Sequence, residues 1–308
     1  MSAPITGRDA AHAHLLLPLE RFLSIEGATD IVINRPGVVH VETHEGWSRY
    51  EAPELSYRAL RSMAISTAST FGASFDSQCP EFAAAFPGGE RVQFIGHPRT
   101  PRGTLLVTVR VPPRRRLALA DLAAFGLFEH GGSSWMPQLV EAVRERRTIV
   151  ISGGTGTGKT TLMRALASLI PLDERVLTIE DTPELDLPEH ENLASLLYPP
   201  HDRAQAKDRM RTALRMRPDR ILLAETRGGE AFQFVHAAMS GHPGGMTSVH
   251  ANTAQGSIDV LAMLARQDDS GRGIEFADML RLVRGAVDLV VVLERTPTGR
   301  RVIEMAAP

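Results

Sequence analysis

The chain has 308 residues, enough for two domains that each bury a core, and its 43% hydrophobic and 23% charged content is that of an ordinary globular protein. Its 34 basic and 36 acidic residues leave a formal net charge of −2, which gives no support to wholesale nucleic-acid binding. The single cysteine, Cys79, excludes an internal disulfide or a four-cysteine zinc site and fits a reducing compartment. No apolar run approaches the roughly 18 residues that span a bilayer. Leu15-Leu16-Leu17 is too short, and lacks the basic lead, for a signal peptide, so a cytoplasmic protein is expected.

Residues 1–112 read as a smaller α+β domain. Residues 1–14 are small and polar enough for a flexible lead, and a short amphipathic helix is expected over 18–23. Strand-like runs at 30–34 and 38–42 flank Arg35-Pro36-Gly37, which is turn chemistry, and Trp47 marks the start of a third strand. Ser56 can cap a helix that carries Leu60, Met63, Ala64, Thr67 and Phe71 inward. After the turn Phe86-Pro87-Gly88-Gly89, strands are expected at 91–95 and 104–111. In the latter, Leu105, Val107 and Val109 share one face, and Leu106, Thr108 and Arg110 the other. Mixed antiparallel sheet plus helices is the expected architecture. Arg91 and Arg110, judged by spacing alone, read as solvated or locally paired. Residues 113–118 read as a linker, since Pro112 and Pro113 stiffen the chain and Arg114 to Arg116 resist burial.

Residues 119–308 alternate strand and helix. Helices at 119–128 and 136–144 lead into the run Ile149-Val150-Ile151 and then Gly153-Gly154-Thr155-Gly156-Thr157-Gly158-Lys159-Thr160-Thr161. Past it, Leu162, Met163, Leu166, Leu169 and Ile170 recur at helical spacing. Strand, glycine loop and helix together make a phosphate-binding site. The glycines let several N–H groups converge, and the helix offers its positive N-terminus to the same anion. Gly154 through Thr161 would bind nucleotide, with Lys159 reaching the β/γ-phosphates and the Thr160 hydroxyl ligating Mg²⁺. Further strands are expected at 176–180, 221–225, 246–249 and 287–293, and helices near 203–216, 230–239, 257–266 and 276–283. The apolar strands suit a mostly parallel sheet covered on both faces, whose ligands bind at the strands' carboxyl ends.

Three such ends carry chemistry. Glu180 and Asp181 could orient an attacking water or hold the metal's water shell. They could equally cap the turn at Thr182-Pro183. Glu225 ends an apolar strand as a Walker B acid does, placed to hold Mg²⁺ through water, and Arg227 could neutralise phosphate charge or pair with a carboxylate. His250, a lone histidine at a strand end, reads by itself as a structural residue.

Four blocks in this order resemble the Walker A, Asp-box, Walker B and His-box elements of the secretion-ATPase superfamily. They are Gly-Gly-Thr-Gly-Thr-Gly-Lys-Thr-Thr, Thr-Ile-Glu-Asp-Thr-Pro-Glu-Leu, Met-Arg-Pro-Asp-Arg-Ile-Leu-Leu-Ala-Glu-Thr-Arg-Gly and Gly-His-Pro-Gly-Gly-Met-Thr-Ser-Val-His-Ala-Asn. Within the superfamily, the chain is most similar to the hexameric ATPases of type IV secretion and conjugative DNA transfer. The resemblance implies a P-loop (RecA-like) domain behind a smaller N-terminal one, and ATP hydrolysis with Mg²⁺. It further implies a homo-hexameric ring and association with inner-membrane secretion proteins through contacts rather than a span. By it, Glu180 matches the general base or water-orienting acid, Asp181 its neighbour, Glu225 the atypical Walker B glutamate, and His242 and His250 the His-box histidines. Arg91 and Arg110 match first-domain arginines that approach the phosphates, and Arg227 the arginine following the Walker B acid. Ala224 stands where glycine is common and Thr226 where an aliphatic residue is usual. One cysteine cannot supply the tetracysteine element of type II assembly ATPases. Pilus-retraction motors are the alternative, and DNA contact is not expected with aromatics at 5%.

Overall fold

A computed structural model describes residues 7–308 apart from 44, 87, 113–115, 200–203 and 298, with the backbone alone described for 7–13, 132 and 133. The chain divides into two units, Met1–Arg114 and Arg115–Pro308.

The first unit contains helices α1 (Gly7–Leu23) and α2 (Tyr57–Thr70) and strands β1 (Asp30–Arg35), β2 (Val38–Thr43), β3 (Gly46–Glu51), β4 (Glu81–Ala85), β5 (Arg91–Ile95) and β6 (Leu106–Arg110). The strands lie in the order β3-β2-β1-β6-β5-β4, with every neighbouring pair antiparallel rather than mixed. Sequence expectation fails at the N-terminus. Instead of a flexible lead to residue 14 and a helix from 18, α1 begins at Gly7 and runs through Pro18. Its alanines and leucines favour helix, and Leu16, Leu19, Phe22 and Leu23 are buried along one stripe. Ser56 caps α2 by accepting the Ala59 N–H at 3.3 Å. Leu60, Met63, Ala64 and Thr67 face inward as expected, but Phe71 is 58% exposed because it lies past the last turn, where the chain leaves the helix. Leu105, Val107 and Val109 are buried, whereas Thr108 and Arg110 are exposed, so the alternation along β6 holds.

The second unit comprises α3 (Leu119–Ala124), a 3₁₀ turn (Glu129–Ser134), α4 (Trp135–Arg144), β7 (Ile149–Gly153), α5 (Lys159–Ala167), β8 (Val176–Glu180), β9 (Leu193–Leu197), α6 (Ala204–Ala213), β10 (Arg220–Leu223), α7 (Glu230–Met239), β11 (Met246–Val249), α8 (Ala254–Ala265), α9 (Phe276–Ala286), β12 (Leu289–Thr296) and β13 (Gly299–Ala306). The sheet order is β13-β12-β7-β11-β10-β8-β9, parallel except for the β12–β13 hairpin. Side chains alternate between two cores. Ile149 and Ile151 of β7 and Val291 and Leu293 of β12 pack with α3, α4 and α5, while Val150, Val290 and Val292 pack with α8 and α9. Burial on both faces is why these strands read as continuous apolar runs.

The expected helix at 119–128 stops at Ala124, where Gly126 takes a positive φ of 80°. The expected strand at 221–225 ends at Leu223, because the next segment crosses to β11 and the Thr226 N–H bonds the Ser248 carbonyl at 2.8 Å. Sequence reasoning missed β4, β9 and β13. β9 and β13 are the outer strands of the second unit's sheet, where one ladder partner suffices and the apolar run is short. Among the described residues no helix is long and apolar enough to cross a membrane.

Candidate nucleotide site

β7 delivers the chain to a loop whose geometry only glycine permits. Gly153 has φ +147°, and a Cβ there would sit 2.4 Å from the Leu293 carbonyl oxygen of the neighbouring strand. Gly158, at φ +92°, turns the chain into α5, so Lys159, Thr160 and Thr161 form the helix's first turn. Thr157 braces the loop by donating its hydroxyl hydrogen to the Gly154 carbonyl at 2.9 Å, and Thr155 and Gly156 stand exposed at the tip. The N–H groups of that first turn lack helical partners and are available to an anion.

Lys159 is 9% exposed, and its Nζ donates to the Gly153 and Gly154 carbonyls, both at 2.9 Å. Burial draws its pKa below the ordinary lysine value, with the Glu225 charge opposing and that of Arg227 adding to the shift. Its Nζ also lies 3.5 Å from His250 Nδ1, and His250 Nε2 lies 2.8 Å from Glu225 Oε1. In a neutral ring, therefore, Nε2 carries the proton and donates to the carboxylate, while Nδ1 accepts from Lys159. Arg227 completes the chain by bonding both Glu225 oxygens, the bidentate geometry that suits guanidinium and carboxylate. Burial works against the Glu225 charge, yet the Arg227 hydrogen bond and charge, with His250 behind them, hold its pKa below the usual carboxylate value. The sequence left Arg227 between two partners, and the fold pairs it with Glu225.

These four residues come from three segments, and secondary contacts align them. Glu230 Oε1, in the first turn of α7, accepts the Arg227 N–H at 2.7 Å and the Gly228 N–H at 2.8 Å. Ser248 donates to the Ala224 carbonyl at 2.7 Å, and Ser152 to the Ala251 carbonyl at 2.8 Å. Thr226 Oγ1 and Thr247 Oγ1 meet at 2.6 Å in a buried pair, a reason for threonine where an aliphatic residue would leave a hydroxyl alone. Sequence reasoning missed Glu230, Thr247 and Tyr198. An acid opening a helix after Gly-Gly was the available signal for Glu230.

Glu180 and Asp181 part ways. Glu180 is 1% exposed, and its Oε1 accepts the N–H groups of Glu184 at 2.9 Å and Leu185 at 2.8 Å. Burial pushes its pKa from 4.5 up to about 7, against the pull of those two amides. The charge of Asp181 is felt instead by Arg227 and by the buried Tyr198 phenol, whose pKa burial and then Asp181 push up. His242 sits in the turn after α7, its N–H bonding the Ala237 carbonyl at 3.1 Å, and no contact among the described residues joins it to Lys159, Glu225 or His250. In the first unit, Arg91 and Arg110 are directly opposite on β5 and β6, and Arg110 Nε lies 3.3 Å from Asp30 Oδ1.

The Glu180 shift has a testable sign. A carboxyl whose folded pKa is raised stabilises fully below its unfolded value of 4.5 and loses that contribution as pH rises through about 7. Glu180→Gln keeps an oxygen acceptor for both amides and removes the charge. Denaturant unfolding should find the variant gaining on the parent between pH 5 and 8 by up to about 3 kcal/mol. An unchanged difference across that range would show that Glu180 is ionised throughout.

A parallel sheet, a phosphate loop opening a helix, and a carboxylate two strands away define a P-loop nucleotide-binding protein. The chain belongs to the type II/IV secretion system protein family, which it matches over residues 14–296. It is 37% identical over 318 residues to the type IV secretion system protein VirB11 of Brucella suis, covering 94% of this chain and 88% of that one. It is 38% identical over 323 residues to PtlH of Bordetella pertussis, covering 97% and 95%. Among solved structures, the VirB11 ATPase of Brucella suis in complex with sulphate matches with a TM-score of 0.55 and 38% identity, covering 97% of this chain and 95% of that one. The pilus retraction motor PilT with bound ADP, at 18% identity, shares the fold with a TM-score of 0.67, covering 95% and 83%.

Proposed function

We infer that this chain is an ATP-hydrolysing motor of a type IV secretion or conjugative transfer system. The observation that carries the reading is the linked set Lys159–His250–Glu225–Arg227, which ties the phosphate loop to the carboxylate expected at the γ-phosphate. The relatives named VirB11 and PtlH, the sulphate held by one and the ADP held by PilT support it.

In this reading Lys159 exchanges the Gly153 and Gly154 carbonyls for β/γ-phosphate oxygens, a small displacement for a side chain already lying on the loop. Among the described residues there is no cluster of three or more metal-ligating side chains. The Thr160 hydroxyl and the Glu225 carboxylate, with Asp181 beyond, are hard oxygen donors that would hold Mg²⁺ directly or through water. When bound, Mg²⁺ supplies charge neutralisation at the phosphates. Glu180, with a pKa about 7, is poised to accept a proton near neutral pH. Arg227 and His250 keep Glu225 ionised and oriented. Arg91 and Arg110 would answer phosphate charge from the first unit, so that hydrolysis loosens a clamp. A homo-hexameric ring docked on inner-membrane partners would transmit that motion, leaving the chain cytoplasmic and peripheral to the membrane.

The test measures ATP binding and turnover separately, with Mg²⁺ and with a chelator. Turnover should vanish without the metal, and Glu225→Gln should retain binding while losing about a hundredfold or more in turnover. In the same assay Arg91→Ala and Arg110→Ala should weaken binding or turnover. A Glu225→Gln defect confined to binding would overturn the assigned role, and silence of both arginine variants would remove the clamp.

A further inference from the structure

The phosphate loop is also touched from the side opposite Glu225. The β12–β13 register sets Arg295 directly across from Arg300, and the Arg300 Nε–H donates to the Gly156 carbonyl at the loop tip, at 2.9 Å. The glycines beneath leave room for both side chains. A Cβ on Gly158 would come within 3.2 Å of Arg300 Cδ, and one on Gly156 within 3.8 Å of Arg295 Nη1. Like charges facing each other across an antiparallel pair are unfavourable. Among the described residues neither arginine forms an ion pair, whereas the adjoining Arg301 pairs with Glu129 at 3.1 Å. Both side chains are exposed to solvent, and partial desolvation against the loop, then the charge of Arg295, draw Arg300 below the ordinary guanidinium value. Two opposed cations on a phosphate loop are what an anion would relieve.

Sheet order says which part of the anion. β12 flanks β7 on one side and β11 flanks it on the other, and the His250–Glu225 contact stands at the β11 and β10 ends. For a nucleotide whose γ-phosphate lies toward Glu225, the β12–β13 hairpin flanks the loop on the side away from that phosphate. We propose that Arg300, with Arg295 beside it, binds the α-phosphate and ribose end of the nucleotide and so sets affinity for ATP and ADP alike rather than turnover. This rests on the P-loop's being an ATP site.

The experiment titrates methylanthraniloyl-ADP and methylanthraniloyl-ATP into the full chain and its variants, and records kcat at saturation. Arg300→Ala should raise Kd for both nucleotides by about tenfold or more, with kcat held within about twofold. Arg295→Ala should raise both by a smaller factor and flatten the salt dependence of binding. Arg300→Lys, which keeps the charge, should retain most of the affinity and guards against a folding artefact. Arg300→Gln separates ligand contact from loop brace, since its amide can still donate to the Gly156 carbonyl. It should behave like Arg300→Ala, and recovery of parental affinity would make Arg300 a brace only. Unchanged Kd values in Arg300→Ala, or a loss for ATP without one for ADP, would also overturn the assignment. If the parent chain binds neither nucleotide, the ATP reading falls; if it binds both and the variants match it, only the arginine assignment falls.

Discussion

Lys159→Ala is expected to abolish ATP turnover, with a fall of about a thousandfold or more in kcat/KM. Its ammonium is buried against the Gly153 and Gly154 carbonyls and is the donor that His250 Nδ1 faces. Without it the phosphates lose their nearest cation inside the loop. His250 then keeps only its Glu225 contact, so the carboxylate and the loop are no longer joined. Two carbonyls also lose a charged donor, and a stability loss of about 1–3 kcal/mol accompanies the kinetic one. Steady-state phosphate release checks the first effect and denaturant unfolding the second. Full turnover in the variant would sink the P-loop argument, whereas a variant that folds, fails to hydrolyse and binds ATP poorly is the expected outcome.

Arg220→Met should destabilise the second unit by about 3–5 kcal/mol. Arg220 is 1% exposed at the start of β10, its Nε 2.6 Å from Glu174 Oε2 and its Nη2 3.2 Å from Glu174 Oε1 and 2.9 Å from the Val143 carbonyl. One guanidinium therefore ties β10 to the segment before β8 and to α4. Methionine fills the volume but leaves the Glu174 carboxylate, 8% exposed, with Arg146 at 3.3 Å as its remaining cation. The unfolding temperature should fall by about 6–20 °C. The double variant Arg220→Met with Glu174→Leu should recover much of that loss, because the buried charge goes with its partner. A double variant no better than the single one would count against this account. Arg220 lies at the end of β10 opposite Glu225, so turnover well below the unfolding transition should survive.

Most of the local structure was legible in the residues. Apolar runs marked the sheet strands, Ser56 announced α2, and the glycine spacing at 153–158 specified a phosphate loop, because φ values of +147° and +92° exclude other side chains. These are properties of a few neighbouring residues, and sequence carries them directly. The helix through Pro18 was hidden because proline argues locally for a break, while the stripe of Leu16, Leu19 and Phe22 overrides it through burial. β9 and β13 were hidden because an outer strand needs only one partner, β8 for the first and the other arm of its own hairpin, β12, for the second, and so shows no long apolar run.

The site divides along the same line. By itself the sequence marked Gly154–Thr161 as the expected phosphate loop and Glu225 as the expected acid at a strand end. It could not decide His250, which reads as an ordinary strand-end histidine until β11 is laid between β7 and β10, where its two ring nitrogens meet Lys159 and Glu225. Nor could it separate Glu180 from Asp181. Only burial of the first against its own turn, and exposure of the second to the charge of Arg227, told them apart. The reach of Arg300 to Gly156 across 144 residues was likewise invisible. Glycine loops and apolar strands are dictated by local backbone sterics and by periodicity. Charge pairs depend on which strands become neighbours, and that is settled only when the sheet assembles.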